Sequence, residues 1–66
     1  MERARYEFYV PGFVVVADFV GQGDAPGFWR VRCFVADSGR QVGDAEWHDS
    51  RRGAYRAARA AAVNAV

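Results

Sequence analysis

Side chains that could take part in catalysis or hold a metal are few in this 66-residue chain. It has one histidine, His48, and one cysteine, Cys33, whereas a zinc site usually takes four ligands. Cys33 alternates with Val31 and Val35 along a predicted strand, which favours a small buried side chain over a nucleophile. We therefore expect no catalytic residue, no metal and no cofactor, and we predict that the chain is not an enzyme.

Two short motifs resemble functional sites but lack the surroundings that such sites need. Residues 21–27, GQGDAPG, contain a G-x-G pattern, but a strand is predicted after them and the chain has no lysine. A phosphate-binding loop needs a following helix N-terminus, so we interpret the segment as a hairpin loop. Asp44 and Glu46 fall on the same side of a weak strand, where no apolar pocket is predicted to raise the pKa of either. We interpret them as the solvated edge of a sheet.

The arginines form the clearest charged pattern. Residues 50–66 carry four arginines and no carboxylate, whereas residues 1–49 carry five arginines and eight carboxylates. Arg52, Arg56 and Arg59 recur at helical spacing and form a basic helix stripe. The stripe is either the solvated face of an amphipathic helix or a surface for phosphates or an acidic protein. The formal charge of the whole chain is only +1, unlike that of a bulk nucleic-acid binder.

The elements that must position these residues follow from alternation and turn chemistry. Apolar and aromatic runs predict four strands over residues 3–10, 13–20, 28–36 and 41–48. Their connections are too short for parallel crossovers, so all pairings are expected to be antiparallel. Asp49 or Ser50 is predicted to cap a helix that runs to about residue 65. The sequence therefore predicts one α+β domain over residues 1–66: a four-stranded antiparallel meander over 3–48, with the helix over 50–65 packed on one face.

Alternation also assigns the two faces of this sheet. The predicted core side chains are Tyr6, Phe8, Val10, Phe13, Val15, Phe19, Trp29, Val31, Cys33 and Val35 from the strands, facing Tyr55, Ala58, Ala62 and Val66 from the helix. The other face has no covering element. Its predicted partner-binding residues are Val14, Val16, Phe28, Arg30, Arg32 and Phe34. An apolar patch bordered by charge indicates an interaction surface, and the alternative is that twisted strands half-cover both faces.

Residues 29–61, WRVRCFVADSGRQVG followed by WHDSRRGAYRAARAA, resemble plant ethylene-response-type and integrase arm-type DNA-binding domains. In those families an Arg-bearing strand of a three-stranded sheet reads the major groove, and a helix follows. The resemblance implies DNA contacts through Arg30, Arg32 and Arg40.

The whole chain also resembles small phage anti-CRISPR proteins built as an antiparallel meander with one helix. The likeness is carried by the stretch 38–54, with SGRQVG, then the aromatic Trp47, then Asp49 and Ser50. It implies a non-enzymatic inhibitor that binds a bacterial CRISPR surveillance or nuclease subunit and blocks its nucleic-acid site.

Three functions are therefore expected in order of preference. The first is an anti-CRISPR-like protein-binding inhibitor, with aromatic and arginine side chains as anchors. The second is a small DNA-binding module that uses the Arg-bearing strand, and the third is a structural homodimer that pairs the uncovered faces. The N-terminal residues MERARYEF lack the apolar run of a signal peptide, and one cysteine permits no internal disulfide. We expect no membrane partner and a cytoplasmic location, in the bacterial host if the chain is phage-encoded.

Overall fold

One sheet and one helix make up the computed structural model, which describes residues 4–21 and 27–65. The strands are β1 (Arg5–Val10), β2 (Phe13–Val20), β3 (Phe28–Val35) and β4 (Gln41–His48), and the helix is α1 (Arg51–Asn64). The strands pair antiparallel in the order β1-β2-β3-β4, so the predicted α+β meander is confirmed. Residue 3 of the predicted first strand lies outside the described residues. β3 ends one residue before its prediction, because the Gly39 N–H donates to the Val35 carbonyl and closes the turn (2.8 Å).

The helix begins where the sequence predicts. Ser50 has extended backbone angles, and its Oγ accepts a hydrogen bond from the Gly53 N–H at 3.1 Å. This satisfies one of the donors that a helix N-terminus leaves without an intrahelical partner. α1 contacts all four strands and lies on one face of the sheet. Within the described ranges, no helix is both long and apolar enough to cross a membrane.

The core lies between α1 and one face of the sheet. It is formed by Val15, Ala17, Trp29, Val31, Ala54, Ala58 and Ala62, with six partly buried side chains packed against it: Tyr6, Phe8, Val10, Cys33, Ala57 and Ala61. The buried alanines recur every four residues and let the helix approach the sheet closely. Tyr55 lies at the border of this stripe, where its ring packs edge-on against Tyr6 and Phe8 (centroids 5.2 and 5.4 Å).

The predicted core needs three corrections. Ala17 and Ala54 were not expected there but are fully buried. Phe19 was expected to be buried but is 46% exposed, since it lies at the end of the sheet against Trp29 and the two ends of the β2–β3 loop. A side chain at Gly21 or Gly27 would overlap the Phe19 ring, which is why the loop ends are glycine. Phe13 and Val35 are half-buried and lie outside the core cluster, and Val66 lies outside the described residues.

β4 is less regular than the other strands. Its register against β3 shifts between Val31 and Cys33, where Val31 is opposite Glu46 but Cys33 is opposite Val42. Gly43 lies in this bulge with a φ of +69°, a backbone conformation that favours glycine. The bulge bends the outer edge of the sheet at β4.

Candidate functional site

The sheet face opposite α1, here called the open face, is defined by alternation from the core. Because Val15, Ala17, Trp29 and Val31 point to the helix, their strand neighbours point away from it. The open face therefore carries Arg5, Glu7, Tyr9, Val14, Val16, Asp18, Val20, Phe28, Arg30, Arg32, Phe34, Gln41 and Trp47. All six predicted partner-binding residues lie on this face.

A charged group occupies the centre of the open face. Asp18 lies directly opposite Arg30 and accepts two hydrogen bonds from it, from Nε at 3.1 Å and from Nη2 at 2.7 Å. Arg32 Nη2 lies 3.5 Å from the same carboxylate. Its Nε is buried and has no hydrogen-bond partner among the described residues. Arg30 is thus held in a two-bond pair, whereas Arg32 makes one longer contact and has at least one donor, Nε, that no described residue accepts from.

This geometry fixes the ionisation of Asp18. The hydrogen bonds from Arg30 lower the pKa of the Asp18 carboxyl, and the charges of Arg30, Arg32 and Arg5 act in the same direction against the effect of burial. The same pair raises the pKa of the Arg30 guanidinium. Asp18 therefore stays a carboxylate at neutral pH and is unsuited to donate a proton as a general acid.

The middle of the open face is more covered than the sequence suggests. Val16 is only 2% exposed although it lies outside the core cluster, so the expectation that it contacts a partner directly is wrong. Its cross-strand neighbours on this face are Glu7 and Arg32. The Arg32 guanidinium lies 5.1 Å from the Phe34 ring centroid and its Nη2 lies 3.5 Å from Asp18, so we infer that the side chain of Arg32, directly opposite Val16, helps to cover it. Val14 and Phe34 are half-buried.

Large aromatic side chains remain exposed around this covered centre. Among the described residues of the open face, Tyr9 is 71% exposed, Trp47 is 56% exposed and Phe28 is 50% exposed. Val20, opposite Phe28, is also exposed. Trp47 is opposite Arg30, which places it one position diagonally from Phe28. Phe28, Trp47 and Val20 are called the aromatic patch below.

Trp47 was missed as a site residue. The predicted partner-binding residues came from β2 and β3 alone. Gln41 pairs with Phe34 and Trp47 pairs with Arg30, so alternation along β4, counted from either end, places Trp47 on the open face.

β1 adds a second polar group at the border of the open face. Arg5 Nε donates to Glu7 Oε2 at 2.8 Å, and the Tyr9 hydroxyl donates to Glu7 Oε1 at 2.7 Å. The bond from Tyr9, more than that from Arg5, lowers the pKa of the Glu7 carboxyl, and it raises the pKa of the Tyr9 phenol. Both interactions are exposed, so they contribute little to the stability of the fold.

The basic helix stripe lies elsewhere. Arg52, Arg56 and Arg59 are exposed on α1, next to a shallow depression that Tyr6 and Tyr55 also line. α1 covers the core face, so the stripe and the open face are on opposite sides of the sheet. The two predicted binding surfaces are therefore not brought together, and Arg40 lies apart from both on the β3–β4 turn.

The structure does not bring the two reactive side chains together. Cys33 is opposite Val42 and His48 is opposite Trp29, which places them four residues apart along β3, or about 13 Å. His48 Nε2 lies 3.4 Å from Glu46 Oε1. In the part of the chain that the structure describes, no three His, Cys, Asp or Glu side chains are grouped as metal ligands would be.

Comparisons of the chain with protein-family models, with curated proteins and with solved structures gave no match.

Proposed function

We propose that this chain is a non-enzymatic protein-binding module whose open face docks on a partner protein. The observation that carries the proposal is the aromatic patch: Trp47, Phe28 and Val20 are exposed together on the face that the helix leaves uncovered. Exposed contiguous apolar surface next to charged groups is typical of interaction sites. Tryptophan and arginine are also the residue types that most often dominate binding energy at interfaces.

The charged group beside the patch specifies the chemistry of the partner. Arg30 is already oriented by Asp18, so its side chain loses little conformational freedom on binding. Arg32 is held less closely, since its Nη2 lies 3.5 Å from Asp18 Oδ2 and its buried Nε has no acceptor among the described residues. The partner that fits is a protein surface with an apolar depression for Trp47 and Phe28, bordered by a carboxylate that pairs with Arg32.

Protein binding is favoured over DNA binding by the state of the same arginines. A phosphate that contacts Arg30 must compete with a carboxylate bound through two hydrogen bonds. The described charged residues of the open face are three arginines and two carboxylates, which leaves little net charge to attract a polyanion. Arg30 and Arg32 act here as oriented anchors and not as phosphate contacts.

An inhibitor of the anti-CRISPR type would use such a surface. In that role the open face docks on a CRISPR surveillance or nuclease subunit in the bacterial cytoplasm and blocks its nucleic-acid site. The support is a compact aromatic and arginine surface on a small domain. The identity of the subunit stays a prediction of the resemblance.

Affinity capture with matched variants tests the proposal. The tagged chain is incubated with a lysate of the cells in which it is naturally produced, and bound proteins are identified by mass spectrometry. Phe28→Ala and Trp47→Ala are expected to lose the main captured protein. Val42→Ala, a substitution of a similarly exposed apolar side chain outside the open face, should retain it.

Circular dichroism of each variant separates loss of binding from loss of folding. If the folded Phe28→Ala and Trp47→Ala chains capture the same proteins as Val42→Ala, the open face is not the docking surface. Capture that falls steeply with salt and disappears after nuclease treatment would instead support the DNA-binding alternative.

A further inference from the structure

β1 is an edge strand, and no strand of the described residues pairs with its outer side. The Phe19 N–H donates to the Ala4 carbonyl at 2.9 Å, which fixes the alternation of the β1–β2 ladder. In an antiparallel pair every second residue directs both backbone groups to the neighbouring strand. The remaining residues of β1, Arg5, Glu7 and Tyr9, therefore direct their N–H and C=O groups away from the sheet.

The opposite edge of the sheet is interrupted, and that of β1 is not. β4 has the bulge at Gly43 and carries two carboxylates of like charge, Asp44 and Glu46, whereas the charges of β1 have opposite signs. Bulges are a common way in which proteins prevent edge-to-edge pairing, and like charges opposite one another disfavour it. β1 pairs with β2 in continuous register and has neither a bulge nor a proline within its six residues. It can accept another strand without rearrangement of its backbone.

The charges on β1 are complementary to those of a second copy. Arg5 and Glu7 lie two residues apart on the same face of the sheet. If two β1 strands pair antiparallel about Tyr6, Arg5 of each copy is opposite Glu7 of the other. This register forms four backbone hydrogen bonds between the Arg5 and Glu7 positions and two cross-strand ion pairs. If the two-fold axis lay at Glu7 and not at Tyr6, the two Glu7 carboxylates would be opposite one another.

An apolar groove runs beside the same edge. It is formed by Phe8 and Val10 of β1 and by Ala62 and Val63 of α1, with Arg59 at its border. Val63 is 68% exposed in the single chain. In the antiparallel pairing both helices lie on the same side of the joined sheet. The two grooves lie on either side of Tyr6, toward opposite ends of the paired strands, so the pairing itself depends on the backbone of β1 and on the Arg5 and Glu7 charges.

We propose that the occupant of the β1 edge is a second copy of this chain, paired antiparallel about Tyr6 to give one continuous eight-stranded sheet. The interface is isologous, so each contact occurs twice. In the dimer, the ion pair between Arg5 and Glu7 of one chain is replaced by ion pairs between Arg5 of each chain and Glu7 of the other. Both open faces then lie side by side on one surface, so this dimer is edge to edge and leaves the aromatic patch uncovered.

Sedimentation velocity on mixed charge variants tests the proposal. Arg5→Glu gives a β1 with two glutamates, and Glu7→Arg gives one with two arginines. Each variant alone is expected to stay monomeric from about 10 μM to about 1 mM, where the unaltered chain dimerises. An equimolar mixture should form the heterodimer, because each Glu is then opposite an Arg. The double variant Arg5→Glu/Glu7→Arg should dimerise like the unaltered chain.

Arg40→Glu is the matched control, since it makes the same charge change as Arg5→Glu on an exposed turn and should leave the dimer intact. The proposal is overturned if the unaltered chain stays monomeric at about 1 mM, or if the mixture stays monomeric while both variants are folded. It is also overturned if the single variants dimerise as well as the unaltered chain. None of these outcomes depends on the aromatic patch, so the proposed function is tested separately.

Discussion

The apolar side chains on the two faces of this sheet are covered in different ways. On the core face, small side chains on α1 bring the helix close, and Ala54, Ala58 and Ala62 are almost fully buried. On the open face none of the described elements packs against the strands, and we infer that Arg32, held between Phe34 and Asp18, covers Val16 opposite it. One face is covered by a helix, and the other is covered at its centre by its own ion-pair group.

The same difference separates the positions of the open face that should stabilise the fold from those that are exposed. An ion-pair group can shield the middle of a sheet but not the large rings around it, so Phe28, Trp47 and Tyr9 remain exposed. The protected centre stabilises the domain, whereas the exposed rings add little to its stability. Substitutions at these two kinds of position should separate folding from binding.

The largest effect is expected in the helix-covered core. Ala58→Leu adds three carbon atoms to a fully buried site, and we expect it to lower the free energy of unfolding by about 2–3 kcal/mol. Ala60→Leu, on the exposed side of the same helix, should change it by less than about 0.5 kcal/mol. Urea denaturation followed by circular dichroism measures both. Equal effects would mean that α1 is not closely packed on the sheet.

The Asp18 ion-pair group should give the next largest effect. Asp18→Asn leaves the guanidinium of Arg30 without its carboxylate, and we expect a loss of about 2 kcal/mol at pH 7. Asp44→Asn is the control, because that carboxylate is exposed. If both variants have the stability of the unaltered chain, the charged group does not stabilise the open face.

The contribution of Asp18 should also depend on pH. The folded-state pKa of its carboxyl is below the value of about 3.9 for an unperturbed aspartate, so the stabilisation is fully present above that pH. It is lost as pH falls through the lower folded-state pKa. The difference in unfolding free energy between the unaltered chain and Asp18→Asn should therefore shrink below about pH 4. A difference that grows on acidification would contradict this assignment.

Two valines of β2 test how far the open face is covered. Val16→Ala removes two buried methyl-sized groups, and we expect a loss of about 1.5 kcal/mol. Val20→Ala, on the same strand and the same face but exposed, should cost less than about 0.5 kcal/mol. Thermal unfolding of the pair gives the comparison. Similar losses at both positions would show that the ion-pair group does not shield Val16.

The smallest effect on stability is expected at the aromatic patch. Phe28→Ala and Trp47→Ala should each change the free energy of unfolding by less than about 0.5 kcal/mol, because about half of each ring is exposed. The same variants should lose the partner protein. A stability loss of about 2 kcal/mol or more at either position would instead indicate that the ring packs within the domain.

Much of the fold could be predicted because local rules and tertiary structure agree. Alternation predicted the first and last residues of β2 and β4 correctly, and Ser50 predicted the start of the helix. The bulge at Gly43 could not be predicted, because a register shift depends on how two strands twist against each other and not on the residues of one strand. The shift adds an even number of residues, so Trp47, the most exposed member of the aromatic patch, keeps the face that alternation along β4 indicates.

The six predicted site residues show a similar division. Alternation placed all of them on the open face, because period-two geometry alone decides the side. It did not indicate that Asp18 would draw Arg30 and Arg32 together, or that Val16 would be buried beneath them. Burial on an uncovered face depends on which long side chains find a charged partner, and this is set by cross-strand register.

Site-specific photo-crosslinking tests the central claim, docking through the open face, most directly. p-Benzoylphenylalanine replaces Phe28 in one chain and Val42 in another, and each is irradiated in a lysate of the cells in which the protein is naturally produced. We predict one discrete adduct, heavier than a dimer of the chain, from position 28 and none from position 42. Equal adducts from both positions, or no adduct beyond the dimer from position 28, would contradict it.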